Sequence, residues 1–160
     1  MFLYDLASPL CWLAAEDVGG GPVWQPVSLQ ELDPQAHAAL SGVDRDAIAR
    51  GAPMPPRWPD PYPADSLKAM LAAAFAKKSG RAVAFSLAAF RQAFAGGKDL
   101  GDTDNVLIAG AACELHPRAL LSGIELRSTR DELDAGNALA REHGVTQLPA
   151  LIEGGRAVAI

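Results

Sequence analysis

A short strand that turns directly into a helix at Ser8-Pro9 constrains the fold more than any other feature of this sequence. The segment Phe2–Leu6 is mostly apolar and aromatic and has the length of a strand. Serine is a preferred helix N-cap, and proline is tolerated at the first helical position because its missing N–H would have no partner there. The sequence therefore predicts a strand, a tight turn and a helix that runs to Val18.

A second strand is predicted directly after this helix. Residues 19–22 are Gly-Gly-Gly-Pro, which end the helix. The next segment, Val23–Leu29, has the character of a strand, and Pro26 within it favours an edge strand or a bulge. Strand–helix–strand units are almost always right-handed with parallel strands, so residues 1–30 are predicted to form a parallel βαβ unit.

Ser8 and Cys11 are the candidate catalytic residues. They lie three positions apart, at the cap and in the first turn of the predicted helix. Unpaired backbone amides and the positive end of the helix dipole favour an anionic oxygen or sulfur at this place. The pattern indicates thiol chemistry, and the alternative is an ordinary helix cap beside a cysteine that serves as a small core residue.

Length, charge and apolar runs narrow the class of protein. A chain of 160 residues is long enough for one domain, or for one domain with a large insertion. The net charge of -5, without a cluster of Lys or Arg, argues against a surface that binds nucleic acid. No apolar run has the length of a membrane span, and Asp5 interrupts the N-terminal run that a signal peptide would need. A cytoplasmic protein is therefore expected.

The cysteine and histidine positions indicate neither a disulfide framework nor a metal site. Cys11 and Cys113 allow one disulfide, but a reduced pair is favoured in the cytoplasm, and Cys113 is expected to be a core thiol. The three histidines, His37, His116 and His143, lack the spacing of metal ligands, so no metal is expected.

The middle of the chain is predicted to be helical, apart from one proline-rich crossing. This crossing, Ala52–Pro63, contains too many prolines for a regular element and is expected to be extended. Its Arg57, Trp58 and Tyr62 could line a cleft or simply cover the core. Helices are predicted at 34–40, at 44–50, from Asp65 or Ser66 to Lys78, at 83–94, from Asp102 or Thr103 to about 113, and at 117–121.

The last predicted helix is suited to lying close against a sheet. Thr129–Glu132 has the spacing of a capping box, which predicts a helix from there to about His143. Gly136 and Ala140 give this helix a stripe of small residues.

A β-hairpin is predicted at the end of the sequence. Two apolar runs, Val145–Ile152 and Ala157–Ile160, flank a Gly-Gly pair. Pro149 is tolerated at the start of the first strand, and a cis bond before it would suit a tight approach to a site.

Together, the two ends of the sequence resemble the thioredoxin fold of the DsbA-like superfamily. Tyr4–Leu13 is similar to the active-site segment of the branch that contains 2-hydroxychromene-2-carboxylate isomerases and kappa-class glutathione transferases, and Gly144–Pro149 resembles the superfamily's Gly-Val-x-x-(Val/Leu)-Pro element. The resemblance implies an α/β thioredoxin fold with an inserted all-helical domain. The thioredoxin-like domain would comprise residues 1–30 plus 128–160, and the helical insertion residues 31–127.

The resemblance also implies a function that uses glutathione as a co-substrate. In this branch, the serine that matches Ser8 hydrogen-bonds the glutathione sulfur and stabilises the thiolate. Pro149 would be cis and face the active site, and the backbone of Leu148 would pair with the cysteinyl main chain of glutathione. The thiolate would then add reversibly to a small-molecule electrophile or act on a thiol substrate.

The sequence departs from the family's pattern at three places. The family continues past the hairpin through a Gly-x-Asp-(Arg/Lys) loop into a final helix, whereas this sequence ends at Ile160. A missing C-terminal helix, a missing anchor for the γ-glutamyl end of glutathione, and an uncovered sheet face suited to a homodimer are therefore expected. Asp65 stands where the family has asparagine, and Ala150 where it has threonine.

Three functions remain open at this point. The first is a glutathione-dependent isomerase or transferase with Ser8 as the thiol-activating residue. The second is a thiol-disulfide oxidoreductase that uses Cys11, and the third is a non-catalytic binding module on the same scaffold.

Overall fold

A four-stranded mixed sheet carries both ends of the chain in the computed structural model, which describes residues 1–160. The strands are β1 (Phe2–Tyr4), β2 (Trp24–Pro26), β3 (Ala150–Glu153) and β4 (Arg156–Ala159). Their order is β2-β1-β3-β4; β1 and β2 are parallel, and the other two pairs are antiparallel. This is the sheet of an α/β thioredoxin-like fold.

Nine α-helices and one 3-10 turn at Leu40–Gly42 form the rest of the regular structure. The helices are α1 (Pro9–Val18), α2 (Leu29–Leu32), α3 (Pro34–Ala39), α4 (Arg45–Gly51), α5 (Leu67–Lys78), α6 (Ala82–Phe94), α7 (Thr103–Ala112), α8 (Pro117–Ile124) and α9 (Arg127–Glu142). None of them combines the length and the apolar composition that crossing a membrane requires.

The predicted βαβ unit is confirmed, although its second strand is shorter than expected. Ser8 caps α1 and Pro9 is its first residue, and β1 and β2 pair in parallel. Pro26 lies at the end of an edge strand, as its sequence predicts. The prediction of a strand up to Leu29 is wrong, because the buried Ser28 caps a further short helix, α2.

The core is continuous from the sheet into the helices. On the sheet, the rings of Phe2 and Tyr4 are stacked, and the Trp24 ring meets the Phe2 ring edge-on at 4.9 Å. The Phe90 ring of α6 packs against Tyr4 with 6.0 Å between centroids. In α5 the buried side chains are almost all alanines, which lets neighbouring helices approach closely: Ala69, Met70, Ala72, Ala73, Ala74 and Ala76.

The small-residue stripe of α9 lies against β2, as predicted. A Cβ built on Gly136 would lie 2.2 Å from the carbonyl oxygen of Pro26, so only glycine fits there. Ala140 on the same stripe is fully buried.

The predicted capping box of this helix is wrong. The helix α9 begins at Arg127, two residues earlier than the box, and Thr129 lies inside its first turn. The N–H of Thr129 bonds the carbonyl of Leu126 at 3.0 Å, so the turn that follows α8 leads directly into α9. The helix α8 also extends to Ile124, beyond the predicted end at residue 121.

The proline-rich crossing is extended, and its aromatic side chains cover the core rather than line a cleft. Trp58 meets Tyr62 edge-on at 4.9 Å and Phe94 at 6.0 Å. The Tyr62 hydroxyl donates a hydrogen bond to the carbonyl of Leu40 at 2.9 Å. The guanidinium carbon of Arg45 lies 4.5 Å from the centre of the Trp58 ring, which closes this surface from outside.

The hairpin forms at the predicted place, with its first strand shortened. Gly154 and Gly155 form the two-residue turn, with φ angles of 55° and 78° that favour glycine. The strand β3 starts only at Ala150, because the segment before it leaves the sheet at Pro149.

Candidate functional site

Ser8 is the N-cap of α1, and its hydroxyl is the first candidate group of the site. Its Oγ accepts a hydrogen bond from the N–H of Cys11 at 3.3 Å, and its carbonyl accepts from the N–H of Trp12 at 3.2 Å. The side chain is fully buried, and the one acceptor that the hydroxyl influences within the chain is the weakly accepting Cys11 thiol, whose pKa it helps to lower. A hydroxyl used this way can still donate one hydrogen bond to a ligand atom.

Cys11 lies in an environment that keeps its thiol protonated. The side chain is fully buried, and its Sγ accepts the N–H of Asp5 at 3.5 Å. Burial raises the pKa of Cys11 to about 12, and the hydrogen bond from Asp5 only partly offsets this effect. Since a reactive cysteine needs a depressed pKa and exposure, this environment does not favour Cys11 as a nucleophile.

Leu148 and Pro149 lie at the same end of the sheet as Ser8. In the antiparallel pair of β1 and β3, Leu3 stands opposite Ala150. One residue further, the register places Pro149 beside Tyr4, where β1 leads into the turn before α1. The Leu148–Pro149 peptide bond is cis. The segment that precedes β3 and the turn that precedes α1 therefore leave the sheet side by side.

The ladder between these two strands stops just before Leu148. Met1 and Ile152 exchange both backbone hydrogen bonds, at 2.7 and 2.8 Å, and in this alternation Asp5 and Leu148 would form a later pair. Asp5 instead donates its N–H to the Cys11 sulfur and accepts the N–H of Ser8 on its carbonyl at 3.1 Å. The N–H and C=O of Leu148 consequently make no hydrogen bond within the chain.

Asp5 is a buried charged residue beside the candidate site that the sequence reasoning missed. It is fully buried; its Oδ1 accepts the N–H of Ala7 at 2.7 Å, and its Oδ2 accepts the N–H of Leu29 at 2.6 Å. Burial raises the pKa of the Asp5 carboxyl, whereas these two bonds and the nearby Ser66 hydroxyl lower it. The signal in the sequence was a lone acidic residue at the end of an apolar strand. Such a residue is buried only when hydrogen-bond partners surround its carboxylate, so its position indicates a buried polar contact.

The surface around this site is closed. The surface has five clefts of about 210 to 530 Å³, and neither Ser8 nor Leu148 nor Pro149 lines any of them. A cleft of about 210 Å³ lies next to them and includes Gln147 and Ala150. A ligand sulfur therefore reaches the Ser8 hydroxyl only if neighbouring side chains move.

Asp65 does not point into this site. It is exposed, and its Oδ1 accepts the N–H of Leu67 at 3.2 Å at the start of α5. The carboxylate thus takes part in helix capping and lines a separate cleft of about 260 Å³ with Lys68 and Glu125.

Comparison with known proteins identifies the fold. No family model and no curated protein matches this sequence. A solved structure of selenomethionine-labelled 2-hydroxychromene-2-carboxylate isomerase superposes with a TM-score of 0.81 at 16% sequence identity, over 99% of this chain and 86% of that one. The chain has the fold of this isomerase. The predicted α/β thioredoxin-like fold is thereby confirmed, and at this identity the likeness to the isomerase concerns the fold alone.

Proposed function

We propose that this chain is a glutathione-dependent isomerase or transferase, in which Ser8 hydrogen-bonds the glutathione sulfur and stabilises it as a thiolate. The observation that carries the proposal is the Ser8 hydroxyl, which accepts one hydrogen bond as the cap of α1 and has only the weakly accepting Cys11 thiol beside it as an acceptor. A hydroxyl donor and the amides of a helix N-terminus both favour the anion, so together they lower the pKa of a bound thiol.

The unpaired backbone N–H and C=O of Leu148 support binding of the peptide part of glutathione. Its N–H and C=O are unpaired and continue the line of β3. An extended peptide can pair with this free segment as a further strand would: it accepts the Leu148 N–H and donates an N–H to the Leu148 carbonyl. Ser8 and Leu148 at the same end of the sheet would then hold the sulfur and the cysteinyl main chain of one molecule.

The proposed chemistry is reversible addition of the thiolate to a small conjugated electrophile. The sulfur forms a C–S bond with an electrophilic carbon, which turns a neighbouring double bond into a single bond. Rotation about that bond and elimination of the thiolate give the isomer. The Ser8 hydroxyl stabilises the thiolate both before addition and after elimination. The fold of 2-hydroxychromene-2-carboxylate isomerase makes that substrate the first one to test.

A cytoplasmic location fits this proposal. Glutathione keeps cytoplasmic thiols reduced and is therefore at hand as a co-substrate there. The two cysteines of the chain, Cys11 and Cys113, are unpaired thiols, as this compartment favours.

A non-catalytic binding module is the second candidate, and the burial of Ser8 favours it. The Ser8 side chain has none of its surface exposed, so in this conformation it serves as a helix cap and meets no ligand. In that case the open backbone of Leu148 would receive an extended peptide without any chemistry at the sulfur.

The test is titration calorimetry with reduced glutathione at millimolar concentration, compared with S-methylglutathione. The two ligands share the same peptide, but only the first can become a thiolate. We expect the wild-type chain to bind reduced glutathione more tightly and to produce the absorbance of a thiolate near neutral pH. Ser8→Ala should remove that absorbance and lower turnover about a hundredfold or more, as the loss of one oxyanion-type donor does.

Asp102→Ala is the matched control, because it removes the cap of α7. It should leave binding and turnover unchanged. Equal affinity for both ligands with no turnover would favour the binding module. No binding of either ligand would reject the glutathione-dependent isomerase or transferase.

A further inference from the structure

The carboxylate of Asp5 joins the turn before α1 to the start of α2, 24 residues further along the chain. Its two oxygens accept the amide of Ala7, in the turn that leads to α1, and the amide of Leu29, the first residue of α2. The Ser66 hydroxyl before α5 is fully buried, makes no hydrogen bond within the chain, and lies close enough to the carboxyl to help lower its pKa. We name Asp5, Ala7, Leu29 and Ser66 the Asp5 junction.

None of the polar atoms of Asp5 bonds to the segment before β3, which carries Leu148. Its N–H points to the Cys11 sulfur, and its carbonyl accepts the N–H of Ser8. Because the two carboxylate bonds hold the side chain in place, the backbone of the turn has one defined conformation. That conformation has two effects at once: it sets Ser8 as the cap of α1, and it leaves Leu148 unpaired.

We propose that Asp5 is the positioning residue of this site, whose carboxylate holds the turn of residues 5–8 so that Ser8 caps α1 and Leu148 stays open to a peptide. The part of this inference that concerns ligand binding rests on the proposed function. The part that concerns the turn stands on the geometry of the unliganded chain.

Asp5→Asn tests the inference because it changes hydrogen bonding with little change in shape. An asparagine side chain has one acceptor oxygen and one donor NH2 group, so it can serve only one of the two amides that face Asp5. The other amide is left buried and unpaired. Such a loss corresponds to about a ten- to hundredfold change in a local equilibrium.

The first measurement needs no ligand and uses amide hydrogen exchange. In Asp5→Asn, we expect the protection of the Ala7, Leu29 and Cys11 amides to fall at least about tenfold more than that of Phe90 in α6. The Cys11 amide reports the position of the Ser8 oxygen, since it donates to it. Asp44→Asn is the matched control: it makes the same chemical change at the exposed cap of α4 and should leave these amides unchanged.

A uniform loss of protection across all amides would overturn the inference, because Asp5 would then contribute only to general stability. If Asp5→Asn does not fold, Ser66→Ala replaces it, since this variant removes only the hydroxyl at the Asp5 junction. In Ser66→Ala, we expect a smaller but still selective loss of amide protection at Ala7 and Cys11. The absence of this selective loss would overturn the inference.

The second measurement is the pKa of the bound glutathione thiol, followed by thiolate absorbance against pH. We expect Asp5→Asn to raise this pKa and to weaken glutathione binding about tenfold in the wild-type background. In the Ser8→Ala background, Asp5→Asn should cause no further change in the thiol pKa, because Asp5 acts on the sulfur through Ser8. If Asp5→Asn raised the thiol pKa by the same amount in both backgrounds, Asp5 would not act through Ser8, and its role as a positioning residue would be contradicted. If the wild-type chain binds no glutathione, the proposed function fails, and hydrogen exchange alone decides the role of Asp5.

Discussion

The Asp5 junction and the helical layer formed by α5 to α8 differ in the kind of side chain that they bury. The helical layer buries alanines and large apolar rings, which pack without directional bonds. The junction buries a carboxylate, whose hydrogen bonds to the amides of Ala7 and Leu29 have fixed lengths and directions. Apolar packing supplies most of the folding free energy, whereas the polar junction fixes one conformation of the turn that carries the candidate site.

This difference predicts two kinds of failure. A change in the helical layer should lower the free energy of unfolding and leave the site intact. A change at the junction should alter the site at a smaller loss of stability. The predictions below test this contrast, in order of expected effect.

The largest effect is expected from Phe90→Ala in α6. Phe90 is fully buried, and its ring packs against Tyr4, so its removal leaves a cavity between helix and sheet. The free energy of unfolding should fall by about 3–5 kcal/mol, measured by urea denaturation. Ile108→Ala is the control on the exposed face of α7, with 51% of that side chain exposed, and should change stability by less than about 0.5 kcal/mol. If folded Phe90→Ala lost glutathione binding, a change in the helical layer would have altered the site, which contradicts the expected difference between the two regions.

Gly136→Ala should have the next largest effect. The new methyl group would meet the backbone carbonyl of Pro26 at 2.2 Å, so α9 must move away from β2. Overpacking of this kind lowers the free energy of unfolding by about 2–3 kcal/mol. Gly20→Ala places the same methyl group in open space and serves as the control. Equal stability of the two variants would show that α9 does not lie as close to the sheet as described.

Ser8→Ala should change stability little and the site strongly. The loss of a helix N-cap lowers the free energy of unfolding by about 1 kcal/mol, as Asp102→Ala at the cap of α7 should also do. Urea denaturation should therefore rank the two variants together, while only Ser8→Ala affects the bound thiol. A much larger loss of stability in Ser8→Ala would show that this residue is mainly structural.

The smallest effect is expected from Glu16→Gln. Two hydrogen bonds of 2.8 and 2.7 Å join Glu16 in α1 to Arg91 in α6. The Arg91 guanidinium lowers the pKa of the Glu16 carboxyl. The pair is partly exposed, so its loss should lower the free energy of unfolding by about 0.5 kcal/mol at neutral pH.

The pH dependence of this effect has a defined sign. Since the folded pKa of Glu16 lies below the unfolded one, the pair stabilises the fold above the unfolded pKa, and this contribution is lost as the pH falls through the folded pKa. The difference between wild type and Glu16→Gln should therefore vanish in acid. Glu125→Gln, at an exposed carboxylate without an ion pair, should show no such difference.

The sequence by itself determined the elements whose signals act over a few residues. The Ser8-Pro9 pair sets the start of α1, the glycines at 154 and 155 set the hairpin turn, and Pro26 marks an edge strand. Together with the order of these elements, they predicted the thioredoxin fold. Capping bonds and turn geometry depend only on neighbours along the chain, so they can be read from the sequence.

Only the tertiary structure decided how these elements share their polar groups. The carboxylate of Asp5 meets the amide of Leu29 across 24 residues, and the amide of Ser28 meets the Asn137 side chain across 109. Because a buried polar group can be satisfied by any segment that folding brings near it, its partner is not encoded in the residues beside it.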